Sequence, residues 1–205
     1  MRRFQLGVKY TLDFVLALVF LIPVGFIILV LGFILYLDSP GPVFFCQLRP
    51  GRGGRLFCIY KLRTMVPGDH IATTPRNSDG SLKLTADLKE YTRFGKILRR
   101  ISLDELPQIF NILKTEMSFV GPRPDLPEHL ALYTETEQIK LAVRPGLTGL
   151  AQVRGRNELP WKERLQLDVQ YVQKYSWWLD LKILAATVGR IFSGHGVYAS
   201  ESKSR

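Results

Sequence analysis

The sequence lacks the common signatures of nucleotide-binding and zinc enzymes. It contains no Walker-type P-loop and no G-x-G-x-x-G run, so neither of the usual phosphate-binding fingerprints applies. Its three histidines, His70, His129 and His195, are scattered and form no H-E-x-x-H or Cys/His cluster, which argues against a zinc site. The two cysteines, Cys46 and Cys58, have no metal-type spacing. They are predicted to be reduced core residues of a cytosolic domain, with a disulfide between them as the alternative.

Acidic residues are also scarce relative to basic ones. The chain has 18 Asp and Glu against 28 Lys and Arg, a formal charge of +10. A surplus of this size suggests a polyanionic partner such as nucleic acid, anionic lipid or a phosphorylated substrate, although a basic surface kept for solubility would give the same count. With 205 residues, 46% of them hydrophobic, the chain is long enough for one domain with its own core.

Apolar sequence is concentrated near the start of the chain. Residues 15–37, VLALVFLIPVGFIILVLGFILYL, carry no formal charge. As a helix they would be about 35 Å long, enough to cross a hydrocarbon core of about 30 Å. Pro23, followed by Gly25, favours a kink, and basic residues on both sides of the run favour a cytoplasmic location for both ends. The pattern fits a re-entrant helix that breaks at Pro23, or a single kinked spanning helix.

The remaining sequence predicts an α+β domain that is mainly helical. Two apolar runs, VFFCQL and RLFCIYKLRTM, flank the turn-rich RPGRGG and predict a β-hairpin. Residues 66–90 are polar and contain proline and glycine, which predicts a mobile excursion. Helices are predicted in YTRFGKILRR, PQIFNILKTEM, EHLALYTETEQIKLA and WKERLQLDVQYVQKY. A last helix, SWWLDLKILAATVGRIF, has an apolar stripe beside two tryptophans, which fits either the membrane interface or packing on the core.

Two adjacent carboxylates in RRISLDELPQ, Asp104 and Glu105, form the candidate catalytic pair. The spacing of Ser102 and Glu105 matches a helix capping box, which would explain both residues without a function. Pro107 disputes that assignment, because proline prefers the first helical turn and moves the helix start to about Asp104 or Leu106. At least one carboxylate is then free to bind Mg²⁺, attack phosphorus or move a proton.

Arginines on loops stiffened by proline and glycine indicate phosphate as the partner of these carboxylates. Guanidinium groups bind phosphate in a bidentate manner. The stretch VRPGLTGLAQVRGRN also combines arginines with glycines, which favours close approach of the backbone to an anionic ligand. The candidate arginines are Arg99, Arg100, Arg123, Arg144, Arg154 and Arg156.

Four motifs that follow one another in order resemble those of the bacterial sugar transferase family. They are QLRPG, FCIYKLRTM, RRISLDELPQIFNILKTEMSFVGPRP and VRPGLTGLAQVRGRN, between residues 47 and 157. The family comprises monotopic phosphoglycosyl transferases, and this chain resembles its minimal members. The resemblance implies a re-entrant anchor in residues 1–38, broken at Pro23, and a catalytic domain in residues 39–205 on the cytoplasmic face of the bacterial inner membrane. Ile22 departs from the serine that members often carry before this proline.

The resemblance also implies the chemistry. Asp104 would attack the β-phosphorus of a nucleoside-diphosphate sugar, with a UDP-sugar as the family expectation, and release the nucleoside monophosphate. Polyprenyl phosphate would then take the phosphosugar from Asp104. Glu105 would support this step, and Mg²⁺ would sit beside Asp104. The residues implied to lie at the site and bind substrate or phosphate are Lys61, Arg63, Arg99, Arg123, Arg156 and Asp180.

Two other functions are weighed against this one. A direct glycosyltransferase would need no covalent intermediate and would release a nucleoside diphosphate. A basic membrane adaptor or nucleic-acid binder is disfavoured, because the arginines interleave with proline and glycine loops rather than lining one helix face or an aromatic platform. Nucleic acid is therefore not expected as a partner, whereas membrane lipid is. No stretch distinguishes glucose, galactose or N-acetylated sugars.

Overall fold

The protein is described by a computed structural model that covers residues 2–66, 91–155 and 159–193. The described ranges are mostly helical with two small two-stranded sheets, which confirms the prediction of a mainly helical α+β fold. The elements are α1 (Arg2–Asp38), β1 (Phe44–Pro50), β2 (Leu56–Leu62), α2 (Arg93–Arg100), α3 (Gln108–Leu113), β3 (Ser118–Val120), β4 (Gly146–Thr148), α4 (Leu150–Arg154), α5 (Trp161–Gln173) and α6 (Trp177–Ser193). Residues 67–90 of the segment predicted to be mobile lie outside the described residues.

Helix α1 is a single helix of 37 residues that continues through Pro23. The predicted division into two helices at this proline is therefore not observed. Proline removes one backbone hydrogen bond, and packing on both sides of it keeps the helix in place, since Ala17 and Val24 contact the same core cluster. Within the described ranges, the segment Phe4–Asp38 is the one helix that is long and apolar enough to cross a membrane.

One face of α1 packs on the rest of the protein along its whole length. Its buried positions recur with helical spacing and are Lys9, Tyr10, Asp13, Ala17, Ile28, Gly32 and Leu35. The other faces expose a broad apolar surface, formed by Phe14, Val15, Leu18, Val19, Ile22, Phe26, Leu29, Phe33 and Leu37. Exposed apolar surface of this extent marks a lipid or protein contact, and together with the length of α1 it supports a membrane association.

The predicted hairpin is confirmed. β1 and β2 pair antiparallel, with Pro50 opposite Leu56 next to the turn. Gly53 and Gly54 lie in the left-handed region, with φ of 69° and 76°, a conformation that glycine adopts at little cost. The far end of β2 carries Lys61, which the hairpin presents toward the connection between α2 and α3.

The prediction that both cysteines lie in the core is wrong. The sulfur atoms of Cys46 and Cys58 meet between β1 and β2, an arrangement that favours the disulfide considered as the alternative. Because Cys46 pairs with Tyr60 and Cys58 pairs with Leu48, the two cysteines are diagonal neighbours on one face of the hairpin. Their Cα atoms are 5.6 Å apart, and Cys46 is exposed rather than in the core.

A parallel pair, β3 and β4, was not predicted from the sequence. It places residues 121–124 beside the start of α4. The Gly121 N–H donates to the Thr148 carbonyl and the Gly146 N–H donates to the Pro122 carbonyl, both at 2.9 Å. A side chain on Gly146 would collide with the backbone of Gly121. These contacts hold the segment that carries Arg123.

One predicted helix differs from the structure. The stretch EHLALYTETEQIKLA forms two 3₁₀ helices, Pro127–Leu132 and Glu137–Ala142, rather than one α-helix. The backbone N–H of Thr134 donates to the Glu137 carboxylate at 2.8 Å, and such local bonds compete with helix formation. The last two predicted helices are confirmed as α5 and α6.

Helix α6 combines the two environments considered for it. Ile183 is buried in the core cluster that it shares with Tyr171 of α5. Trp178, Leu181 and Val188 point outward and are more than half exposed. The helix thus packs on the domain through one side and leaves an apolar stripe on the other.

Candidate active site

The connection between α2 and α3 positions the two adjacent carboxylates. Ser102 adopts the left-handed conformation, with φ of 60°, and makes no side-chain capping bond. The capping-box explanation of this stretch is therefore wrong. Leu103–Glu105 form a 3₁₀ turn, and Pro107 caps α3, which begins after it at Gln108. Pro107 indicated a later start for this helix, and the helix in the structure begins at Gln108, two residues after Leu106.

A cavity of about 360 Å³ opens at this turn, a volume typical of small-molecule sites. It lies between α1, the α2–α3 connection, α4, α5 and α6. Its lining includes the apolar side chains Phe20, Val24, Ile109, Phe119 and Leu184 and the polar side chains Lys61, Arg99, Ser102, Asp104, Glu105, Arg123, Asp125, Thr148, Gln152, Trp161, Arg164, Asp168 and Thr187.

Glu105 holds two cations at the cavity wall. The Lys61 ammonium lies 2.7 Å from Glu105 Oε1, and the Arg123 guanidinium donates to the same oxygen at 3.0 Å. Burial alone would raise the pKa of Glu105, but attraction to Arg123 and Lys61 more than offsets it and holds the pKa well below its usual range. Glu105 is therefore ionised and fixes two donors beside the cavity.

Asp104 is different, because it is buried without a hydrogen-bond partner among the described residues. It is 5% exposed, and it accepts no hydrogen bond from the residues that the structure describes. Burial, followed by repulsion from Glu105, raises the pKa of Asp104 to about 6, while Lys61, Arg99 and Arg123 act in the opposite direction. An additional cation beside Asp104 would favour its ionised form.

Three of the predicted phosphate-binding residues meet at this cavity. Lys61, Arg99 and Arg123 all line it. The Arg99 guanidinium lies 5.0 Å from the ring centre of Tyr91, a cation–π contact that orients it. The arrangement places three positive side chains around one unpartnered carboxylate, which suits a multiply charged phosphate ligand.

The other candidate residues lie elsewhere. Arg63 is buried outside the cavity lining and donates to the carbonyl of Ser39, at the end of α1. Asp180 also lies outside that lining and pairs with Lys9 of α1. Arg156 falls outside the described residues. Pro23 lies within α1, next to Val24, which lines the cavity.

The further arginines named from the loops do not reach the cavity lining either. Arg144 lies with its guanidinium 4.0 Å from the ring centre of Tyr10. Arg100 and Arg154 are exposed at the ends of α2 and α4.

Hydrogen bonds to the backbone carbonyls of residues 123 and 124 fix the position of Arg123. The Lys140 ammonium donates to the Arg123 carbonyl at 3.1 Å, and Arg49 donates to the next carbonyl, that of Pro124, at 3.4 Å. Lys140 is 4% exposed and also contacts Asp125 at 2.7 Å and Asp168 at 2.8 Å. This buried network connects the arginine to α5.

Sequence reasoning missed the wall formed by α4 and α5. Gln152, Trp161, Arg164 and Asp168 line the cavity there. Gln152 lies in a stretch that was singled out for its glycines and arginines, so part of the signal was recognised. Asp168 lies on the buried side of α5 with Leu165. A carboxylate on the apolar face of a helix is costly unless it is paired or functional, and that signal could have found it.

The side chains at the cavity offer few ligands for Mg²⁺. No group of three His, Cys, Asp or Glu side chains suited to a metal occurs among the described residues. Within the carboxylate pair, Glu105 is occupied by Lys61 and Arg123, which leaves Asp104 as the available oxygen ligand of the two. Because Mg²⁺ is often bound by one or two carboxylates together with substrate phosphates and water, the residues fit an ion shared with a phosphate ligand rather than an all-protein metal site.

Comparisons with known proteins agree with this chemistry. A model of the family described as bacterial sugar transferase matches residues 4–194. The uncharacterized sugar transferase EpsL of Bacillus subtilis is 42% identical over 92% of this chain and 89% of its own length. The UDP-glucose:undecaprenyl-phosphate glucose-1-phosphate transferase of Xanthomonas campestris is 40% identical over 91% of this chain but only 39% of its own length. The undecaprenyl-phosphate galactose phosphotransferase of Salmonella typhimurium is 36% identical over 93% of this chain and 41% of its own length.

Proposed function

Because the chain belongs to the bacterial sugar transferase family, we propose that it moves a phosphosugar from a nucleoside-diphosphate sugar to polyprenyl phosphate through an intermediate on Asp104. The observation that carries the proposal is a buried carboxylate, without a partner among the described residues, that faces a cavity lined by Lys61, Arg99 and Arg123. Relatives named for transfer of glucose 1-phosphate, or of galactose, with undecaprenyl phosphate support both the acceptor and the reaction class. UDP is proposed as the nucleotide carrier.

In the first half of the reaction, a carboxylate oxygen of Asp104 attacks the β-phosphorus of the donor. The bond from that phosphorus to the bridging oxygen breaks, and its electron pair leaves with the nucleoside monophosphate. Lys61 and Arg123, which Glu105 holds at 2.7 Å and 3.0 Å, stabilise charge on the phosphate oxygens. Arg99 supplies a third donor from α2.

In the second half, a phosphate oxygen of the lipid attacks the same phosphorus. The bond to Asp104 breaks and the carboxylate is regenerated, while polyprenyl-diphosphate-sugar is formed. The apolar side of the cavity, with Phe20 and Val24 of α1 and Leu184 of α6, gives the lipid an apolar approach from the helix that carries the exposed hydrophobic surface. The residues support an acceptor that arrives along α1.

A divalent cation belongs to the proposal. Asp104 is the residue that would hold it. When bound, Mg²⁺ would supply positive charge that neutralises the diphosphate.

We propose that both ends of α1 lie on the cytoplasmic side. Near the start of the helix, Lys9 contacts Asp180 at 2.8 Å. At its end, Asp38 accepts a hydrogen bond from the Phe94 N–H at 3.0 Å. Both ends therefore bond to one domain, whereas a simple span would separate them by a hydrocarbon core of about 30 Å. These contacts support an anchor whose two ends lie on the same side of the membrane.

Intact-mass measurement tests the covalent step. We expect incubation with UDP-glucose or UDP-galactose and Mg²⁺, without lipid, to add the mass of one phosphosugar to the protein, and EDTA to prevent it. Addition of polyprenyl phosphate should discharge the adduct, with release of UMP. Turnover that releases UDP instead, without any adduct, would identify a direct glycosyltransferase and contradict the proposal.

Cysteine labelling tests the topology. Gly7 is exposed, with open space around its Cβ position, and Arg52 is exposed at the tip of the hairpin. Gly7→Cys and Arg52→Cys should react with a membrane-impermeant maleimide only when the cytoplasmic side is open, with the parent protein as control. Reaction from opposite sides would mean a spanning helix.

A further inference from the structure

The wall of the cavity that α4 and α5 form contains buried polar groups that the proposed chemistry does not use. Gln152 is 5% exposed, Trp161 4% and Asp168 2%. Within the described part of the chain, both amide atoms of Gln152 and the indole Nε1 of Trp161 have no hydrogen-bond partner. The Oδ1 atom of Asp168 has no partner with good hydrogen-bond geometry there, although the Arg123 backbone N–H lies near this carboxylate. Buried polar groups are nearly always paired, so the unpaired atoms on this cavity wall indicate a ligand that pairs with them.

These groups are held in place by their surroundings. Asp168 is fixed through its other oxygen, which lies 2.8 Å from the Lys140 ammonium. Trp161 packs against the rings of His129 and Tyr133, at 5.0 Å and 6.3 Å between ring centres. A preorganised set of this kind binds a ligand without a large loss of side-chain entropy.

Glycine makes room for the amide of Gln152. A Cβ atom on Gly149 would collide with the Gly121 carbonyl oxygen and would also lie 2.7 Å from Gln152 Oε1. The glycine is therefore needed for the backbone contact with Gly121, and it also leaves room for the Gln152 amide.

The three groups Gln152, Trp161 and Asp168 suit hydroxyl groups better than phosphate, although Arg164 also lies on this wall. An amide donates and accepts, an indole N–H donates and a carboxylate accepts. A hydroxyl group both donates and accepts, so it can pair with all three. Phosphate oxygens only accept, and they would be repelled by the Asp168 carboxylate. The phosphates therefore belong at Lys61, Arg99 and Arg123.

The two walls are close neighbours in the fold. Lys140 contacts Asp168 on the hydroxyl-selective wall, and it also donates to the carbonyl of Arg123 on the phosphate wall at 3.1 Å. In a nucleoside-diphosphate sugar, the sugar is attached directly to the phosphorus that Asp104 attacks. The ribose, by contrast, is separated from it by a second phosphate. The hydroxyl groups next to the reacting phosphorus are thus those of the sugar.

We propose that Gln152, Trp161 and Asp168 form the subsite that binds the hydroxyl groups of the transferred sugar. This inference rests on the proposed function, since it assumes a nucleoside-diphosphate sugar with its β-phosphate at Asp104. It assigns recognition of the sugar to α4 and to α5, apart from the residues that act on phosphorus. The ribose is the alternative source of the same hydroxyl chemistry, and the binding experiment separates the two.

Equilibrium binding to an Asp104→Asn protein, which cannot turn over, measures this recognition without the reaction. The added change is Gln152→Met, which keeps the size of the side chain and removes its hydrogen bonds. We expect it to weaken binding of the UDP-sugar that gives the adduct by about tenfold, the scale of one lost hydrogen bond, and to leave binding of UDP unchanged. Gln166→Met, at an exposed position of the same helix as Asp168, is the matched control and should change neither.

Deoxy-sugar analogues sharpen the test. One sugar hydroxyl group is expected to contact Gln152. A ligand that lacks this hydroxyl should bind the Asp104→Asn protein more weakly. It should bind the protein that also carries Gln152→Met as well as the full sugar does, because the interaction is already lost. Equal weakening of UDP and UDP-sugar would assign Gln152 to the ribose and overturn the proposal. Unchanged binding in a variant with the thermal stability of the parent would overturn it as well.

A failure of the proposed function gives a different result. If the wild-type protein releases UDP and forms no adduct, the covalent chemistry is wrong, whatever Gln152 does to binding. If the adduct forms normally and Gln152→Met binds every UDP-sugar as the parent does, the sugar subsite alone is wrong.

Discussion

The cluster around Lys9 and the cluster around Lys61 each contain a lysine and two carboxylates, but the carboxylates are paired differently. The Lys9 ammonium lies 2.8 Å from Asp180 and 3.5 Å from Asp13. The Tyr171 hydroxyl donates to the free oxygen of Asp180 at 2.7 Å, and the Ser118 hydroxyl donates to Asp13. Each carboxylate in this cluster has its partners, and together they join α1, α6 and β3.

The cluster around Lys61 also contains two carboxylates, but only one is paired. Glu105 contacts both Lys61 and Arg123, whereas Asp104 has no hydrogen-bond partner among the described residues. Burial is similar in the two clusters, so burial alone does not mark a reactive group. What distinguishes Asp104 is a buried carboxylate that faces a cavity and accepts no hydrogen bond from the described residues, so that a ligand in the cavity can bind it.

The sharpest test of this difference is Asp104→Asn. We expect it to abolish both adduct formation and turnover, by about a thousandfold or more, because the amide is not a nucleophile. Thermal stability should not fall, since the substitution removes a buried carboxylate that has no partner. Intact-mass analysis and a thermal melt of the same preparation measure both quantities. Retention of full activity would exclude Asp104 as the nucleophile.

Glu105→Gln should have an intermediate effect. A neutral amide no longer balances Lys61 and Arg123, so their positions relative to the phosphate become less defined. We expect kcat to fall by about 10- to 100-fold, with the adduct still formed on Asp104. Single-turnover measurement of UMP release checks this. Complete loss of the adduct in a folded protein would mean that Glu105, rather than its neighbour, takes the phosphosugar.

Asp180→Asn should act on stability rather than on chemistry. It weakens the contact between Lys9 and α6, while Asp13 still lies near the lysine, so we expect the free energy of unfolding to fall by about 1–3 kcal/mol. The kcat of the folded protein should stay within about threefold of the parent value, with Glu163→Gln on the exposed side of α5 as control. A large loss of kcat at unchanged stability would mean that Asp180 acts in the active site.

The comparison also explains what could be predicted from the sequence. Motif order predicted Lys61, Arg99, Asp104, Glu105 and Arg123, and the structure brings these five together at one cavity. Their roles stay predictions. The sequence placed Asp180 beside them as well, yet its partner, Lys9, is 171 residues away along the chain. A long-range ion pair leaves no local pattern, so position within a motif could not reveal it.

Local chemistry was misread where two signals competed. The capping box at Ser102 has the right spacing, but Glu105 is drawn instead to Lys61 and Arg123, which are distant in sequence. The parallel pairing of β3 with β4 was missed because each strand has three residues, too short for a periodic pattern. Tertiary contacts decided both cases.

A pH dependence of stability is expected from the carboxylate of Asp104, which has no hydrogen-bond partner among the described residues. The pKa of Asp104 is raised from 3.8 to about 6 in the folded protein, so between these values the folded state binds more protons than the unfolded state. Stability of the metal-free parent should therefore fall as the pH rises from about 4 to about 6, and then level off. The free energy of unfolding of Asp104→Asn does not fall with pH for this reason. In EDTA at pH 7.5 the variant should therefore be more stable than the parent, by at most about 3 kcal/mol. At pH 4.5 this difference should be smaller. Denaturant unfolding at the two pH values measures the difference. A difference that does not change with pH would mean that Asp104 ionises as in water, and the contrast with the paired carboxylates at Lys9 would then fail.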